Sequence, residues 1–122
     1  MKIKKYTSST GHEILVGQDD ASNDYLTLKV ARANDIWLHV HGFPGSHVVL
    51  QCAEDKQLDR ESLTEAAGLA AWFSKMRNGG MVAVSYCLAK DVSKPSRAKA
   101  GTVSIKNARK IKVRPHLLPA SE

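Results

Sequence analysis

Several things are missing from this chain of 122 residues. Its purely apolar runs are only a few residues long, far short of the roughly 20 that a membrane-spanning helix needs. The basic start Met1-Lys2-Ile3-Lys4-Lys5-Tyr6 is followed by no apolar segment, so no secretory signal is expected. Only two cysteines occur, Cys52 and Cys87, each in an apolar stretch. They read as buried thiols in a reducing compartment rather than as a disulfide. The expected location is cytoplasmic, with no membrane partner. No internal repeat and no low-complexity segment interrupts the pattern. Acid is also missing from one place: no Asp or Glu lies between Asp91 and Glu122.

That last gap organises the charge. The net charge is +6, from 18 Lys and Arg against 12 Asp and Glu. The first 91 residues are nearly neutral, and the excess sits on Lys94, Arg97, Lys99, Lys106, Arg109, Lys110, Lys112 and Arg114. A one-signed block points to a polyanion, because each neutralised phosphate releases counterions. A solvated basic face kept for solubility is the plainer alternative. No amphipathic helix with a bulky apolar face accompanies the block, which argues against a membrane surface.

The length fits one domain. Ile3–Thr7 and Glu13–Val16 read as strands around the turn-rich Ser8-Ser9-Thr10-Gly11. Asp19, Asp20 and Ser22 are candidate caps for a helix carrying Leu26 and Val30 and ending near Arg32. Ile36–Val40 and Ser46–Ala53 read as strands around the turn Gly42-Phe43-Pro44-Gly45. An acidic link, Glu54–Arg60, precedes the strongest helix. There Ser62-Leu63-Thr64-Glu65 has the form of a capping box. Leu63, Ala66, Ala67, Ala70 and Phe73 make its apolar stripe, and Arg77-Asn78-Gly79-Gly80 stops it. Met81–Leu88 is expected to be a central strand. Thr102–Ile105 and Arg109–Val113 are expected to form a last hairpin. Residues 115–122 read as a short tail that frays. Adjacent strands in sequence favour an α+β fold: one domain over 1–114, with a largely antiparallel sheet packed by one long and one shorter helix.

The densest polar cluster is Asp35-Ile36-Trp37-Leu38-His39-Val40-His41, followed by Gly45-Ser46-His47. On a strand, Asp35, Trp37, His39 and His41 alternate onto one face, expected to be at least partly exposed. His47 could sit beside it. Four readings compete: metal ligation by His-x-His, hydrolysis through Ser46 or a water, base recognition by Trp and His, and a structural hydrogen-bond network. No cofactor motif is present, and none is expected. The loop Lys94-Pro95-Ser96-Arg97-Ala98-Lys99-Ala100-Gly101 offers cations that can follow a phosphate backbone; its plain reading is a mobile surface loop. Ser74, Lys75 and Arg77 close the long helix. They either face the same site or, for Arg77, cap the helix carbonyls.

Taken in order, these motifs resemble the NFACT-R domain, an RNA-binding module. Asp35-Ile-Trp-Leu-His39 with Pro44-Gly45-Ser46-His47-Val-Val looks like the family signature. Val16-Gly17, Asn23-Asp24 and Leu26-Thr27 look like its opening motif. Ala66-Ala67, Ser74-Lys75 and Arg77 look like its helix. Lys94-Pro95, Ala98-Lys99 and Gly101-Thr-Val look like its basic loop and following strand. The likeness covers roughly residues 10–114. Arg97 stands where the family loop commonly has Gly, Ala100 where it commonly has Pro, and Ser85 where Asp is common. The family's domain is usually the C-terminal part of large ribosome-quality-control proteins, whereas this length holds the module alone.

The resemblance implies a non-enzymatic RNA-binding module. Its targets would be tRNA or rRNA, with the large ribosomal subunit as a further partner. The implied RNA-binding residues are Asp35, Trp37, His39, Gly45, Ser46, His47, Ser74, Lys75, Arg77, Lys94, Arg97 and Lys99, with no catalytic or metal site. The alternative is a metal-assisted or acid/base RNA-processing enzyme built on the Asp/His cluster.

Overall fold

Short segments rich in apolar residues build the sheet. In the computed structural model, which describes residues 1–52 and 57–119, the strands are Ile3–Thr7 (β1), Glu13–Gly17 (β2), Ile36–Val40 (β3), Val48–Leu50 (β4) and Val82–Leu88 (β5). Short Val92–Ser93 (β6) and Ser104–Ile105 (β7) and the longer Arg109–Val113 (β8) follow. Six strands form one sheet in the order β1-β2-β4-β3-β5-β8, and β6 pairs with β7 apart from it. Every pairing is antiparallel. This is the α+β fold with a largely antiparallel sheet and two helices that the sequence leads one to expect.

Both faces of the sheet are covered. Ile14, Val16, Leu38, Val40, Val48, Leu50, Val82 and Val84 bury against the long helix Arg60–Trp72 (α2). Alanines on α2 let its backbone come close to the strands, and Gly68 lets the segment at Arg114–His116 pack against the helix. The opposite face buries Leu15, Trp37, Val49 and Cys87 with Leu26 of the short helical segment. That segment is an α-helix at Asp20–Tyr25 (α1) that widens into a π-helical turn at Leu26–Val30. Each fully buried Leu or Val contributes about 1.5–3 kcal/mol relative to exposure.

Several sequence expectations shift. The N-cap of α2 is Asp59, whose carboxylate accepts from Ser62 N at 2.6 Å; an acid three residues ahead of a free N–H caps as well as Ser62 would. The helix ends at Trp72, so Ser74, Lys75 and Arg77 lie beyond it. The β4 strand covers only Val48–Leu50, and β7 and β8 do not form a hairpin. Instead β8 crosses to pair with β5, while β7 pairs with β6. Residues 115–119 are not frayed: His116 N donates to Gly68 O at 3.0 Å and Leu118 packs on the core. The first three residues of the acidic link, 54–56, lie outside the described residues.

Candidate nucleic-acid interface

The Asp/Trp/His strand face is closed at one end and open at the other: Asp35 and Trp37 are buried, His39 is half-buried and His41 is exposed. Asp35 is 2% and Trp37 3% exposed. Helix α1, its π-turn and the segment after β6 cover the face that strand alternation alone would leave free. Asp35 accepts from Arg32 N at 2.9 Å and from Cys52 N at 2.8 Å. Its carboxylate thus ties two backbone segments to the start of β3. No three His, Cys, Asp or Glu side chains gather as metal ligands among the described residues.

Trp37, His39 and His47 form one assembly. The Trp37 and His39 rings stack with centroids 5.9 Å apart and planes 9° apart, and His47 meets both edge-on. His47 Nε2 donates to Gly101 O at 3.0 Å, which leaves Nδ1 as the acceptor for Thr27 Oγ1 at 2.8 Å. Trp37 Nε1 donates to Thr27 Oγ1 at 3.2 Å. His47 N donates to Asn23 Oδ1 at 3.0 Å. Burial holds the His47 imidazole down to about 4, helped by its neighbour His39, so the ring is neutral. Burial lowers His39 as well. This network fastens α1, β3 and the loop after β6 to one another.

Lys94 is also committed to the fold. Its Nζ pairs with Asp24 Oδ2 at 3.1 Å and donates to Thr102 O at 2.9 Å and to Lys99 O. Gly101 N donates to Asp24 Oδ1 at 3.0 Å. A half-buried cation thus closes the basic loop on itself and onto α1. Arg97 and Lys99 remain exposed. Arg97 adopts φ +65°, a left-handed conformation that favours Gly, which the family loop commonly has at this position.

A different cleft collects the other predicted residues. Gly45 and Ser74 form an isolated antiparallel bridge. Ser46 N donates to Phe73 O at 2.9 Å and Lys75 N to Pro44 O at 3.0 Å. The bridge needs glycine, since a Cβ at Gly45 would fall 2.8 Å from Ser74 Cβ. Around it lies a cleft of about 460 Å³ lined by Gly45, Ser46, Ser74, Lys75 and Arg77, with Lys4 and Gln18. Arg77 Nε donates to Trp72 O at 2.8 Å and its guanidinium stacks 4.6 Å from the Trp72 ring. So Arg77 both caps α2 and stands at the cleft. Lys4 lies 5.5 Å from the Phe73 ring. Sequence reasoning missed Lys4 and Gln18; Lys4 shares the face of buried Tyr6 by strand alternation, which was the available signal.

The predicted residues therefore fall into a buried or half-buried scaffold (Asp35, Trp37, His47; His39, Lys94), an exposed loop (Arg97, Lys99) and a cationic cleft (Gly45, Ser46, Ser74, Lys75, Arg77).

Known proteins resemble this arrangement along most of the chain. The Rqc2 homolog RqcH of Bacillus subtilis (strain 168) is 41% identical over 113 residues, covering 93% of this chain and 19% of that protein. RqcH of Streptococcus suis (strain 05ZYH33) is 37% identical over 115 residues, covering 93% of this chain and 20% of that protein. The chain thus spans about a fifth of the length of these curated relatives. A solved structure, the C-terminal part of the fibronectin/fibrinogen-binding protein from Streptococcus suis, superimposes with a TM-score of 0.88 at 37% identity. It covers 95% of this chain and 46% of that one. The family model described as the NFACT protein RNA binding domain matches residues 2–107, and the chain belongs to that family.

Proposed function

We propose that this chain binds RNA through the cleft around the Gly45–Ser74 bridge, with Arg97 and Lys99 adding phosphate contacts. The observation that carries the reading is convergence: segments far apart in sequence bring Lys4, Lys75 and Arg77, with Gln18 and Ser46, to one cleft. Cations supply affinity to phosphates, while hydroxyls and backbone amides fix register. The Trp37–His39–His47 assembly and Lys94, on the opposite face of the sheet, act as the frame that sets the loop's position. The RNA is tRNA or rRNA, and the setting is ribosome quality control in the cytoplasm, at the large ribosomal subunit. The RqcH likeness and the family's RNA-binding description support this setting. An acid/base centre on Asp35 draws no support, because both carboxylate oxygens are engaged by backbone amides.

The test is a salt titration of tRNA and rRNA-fragment binding by the whole chain and by Lys75→Ala with Arg77→Ala. The double variant is expected to flatten the slope of log K against log salt by about 0.9 per lost duplex phosphate contact. Thermal unfolding checks the fold, since Arg77 also caps α2. An unchanged slope in a folded variant refutes the cleft. Absence of binding by the wild-type chain refutes the RNA reading altogether.

A further inference from the structure

A second surface, on the other face of the sheet, carries a row of polar groups in register. His39 on β3 lies directly across from Ser85 on β5, and Ser85 directly across from Lys110 on β8. One step along, Ala83 lies across from Lys112, and His41 N donates to Ala83 O at 2.9 Å. His41 Nδ1 and Ser85 Oγ are 3.0 Å apart. Ile111 and Val113 bury on the α2 side, so alternation sends Lys110 and Lys112 to the His39 side, where both are exposed. A cleft of about 260 Å³ opens there between Trp37, His39, His41 and Ser85 on one side and Gly101 and Thr102 on the other. No carboxylate stands among the described residues that line it.

We infer that this surface binds an extended single-stranded segment of RNA, with one base in the cleft beside His39 and His41 and successive phosphates on Lys110 and Lys112. The inference rests on the RNA-binding reading above and adds a subsite that reading does not use. Three features favour a single strand. The Trp37–His39 stack presents an imidazole at the cleft, and every base has a π-face to lay against one. Residues two apart on a strand stand about 6.8 Å apart, comparable with consecutive phosphates of an extended strand. The row runs from the cleft across β5 to the edge of the sheet, where β8 has no further neighbour among the described residues. Edge lysines also guard an unpaired strand against association. Their register with a carboxylate-free, imidazole-lined cleft is what points to RNA. Burial pushes the His39 imidazole below its ordinary value.

The experiment compares wild type, Lys110→Ala with Lys112→Ala, and an equal-charge control, Lys5→Ala with Lys29→Ala. The probes are a short oligouridylate, one of its positions carrying a photoreactive thiouridine, and a duplex RNA. The β8 variant is expected to lower the oligouridylate salt slope by about 1.4, two single-strand phosphates, while the control stays near wild type. Thiouridine crosslinks should map to the peptides holding His39–His41 or Gly101–Thr102. An oligouridylate slope that the β8 pair leaves unchanged, or crosslinks confined to Lys75–Arg77, overturns the subsite but leaves RNA binding standing. A β8 loss seen only with duplex also overturns it, in favour of a helical ligand. A wild-type chain that binds neither probe overturns both readings.

Discussion

The neutral, buried His47 makes a measurable demand on the pH dependence of stability. His47 is 2% exposed and its imidazole protonates only near about 4 when folded. In the unfolded chain it protonates near about 6.5. A depressed folded value means the unfolded state takes up the proton first as pH falls. The His47 contribution is therefore complete above about pH 6.5 and is lost as pH falls toward 4. The loss amounts to about 2 kcal/mol by about pH 5 and about 3 kcal/mol by about pH 4. His39 is also depressed and adds a loss of the same sign. The perturbation that isolates His47 is His47→Gln, which keeps a side-chain donor and acceptor but cannot titrate. Urea unfolding of both proteins across that pH range gives the comparison. At neutral pH the variant is expected to be the less stable, by about 1–3 kcal/mol for imperfectly replaced buried hydrogen bonds. Its deficit should then shrink by about 2 kcal/mol at about pH 5, because only the wild type loses the histidine term. A deficit that stays constant with pH refutes the argument. So does a nitrogen NMR signal showing both His47 ring nitrogens protonated at about pH 6 in the folded chain.

Three further outcomes are expected. Arg97→Gly relieves a left-handed non-glycine residue and raises stability where Arg97→Ala does not, by up to about 1 kcal/mol, while both remove the same charge from RNA binding; equal melting temperatures for the two refute the strain. Asp24→Ala frees Lys94 and Gly101 N together, so amides of residues 99–102 should exchange faster by hydrogen exchange while those of α2 do not; unchanged exchange refutes the tether. Gly17→Ala places a Cβ 2.2 Å from Asn23 Oδ1, the acceptor for His47 N, and should cost about 1–3 kcal/mol in urea unfolding; a neutral result means the α1 segment yields freely.

Much of the fold was legible because short-range rules decide it. Alternation in Ile36–Val40 and Val82–Leu88 places strands, and the alanine-rich stretch before Phe73 places a buried helix. What failed were features set by competition between neighbours. Asp59 displaced Ser62 as the cap because both can reach a free N–H and the chain enters the helix three residues earlier. The expected 102–113 hairpin failed because β8 found a longer, apolar partner in β5.

The site divides along the same line. The sequence by itself determined the family and the one-signed charge after Asp91, since these follow from composition and local motif. Only the tertiary structure decided which of them meet solvent. Strand periodicity assigns residues to faces but says nothing of what covers a face. A helix from residues 20–30 and a loop from residues 94–103 closed over Trp37 and His47, turning expected contact residues into a frame. The same closure spent Lys94 on Asp24 and left the cleft at Ser74–Arg77 open. Burial is a property of non-local packing, and a local pattern cannot encode it.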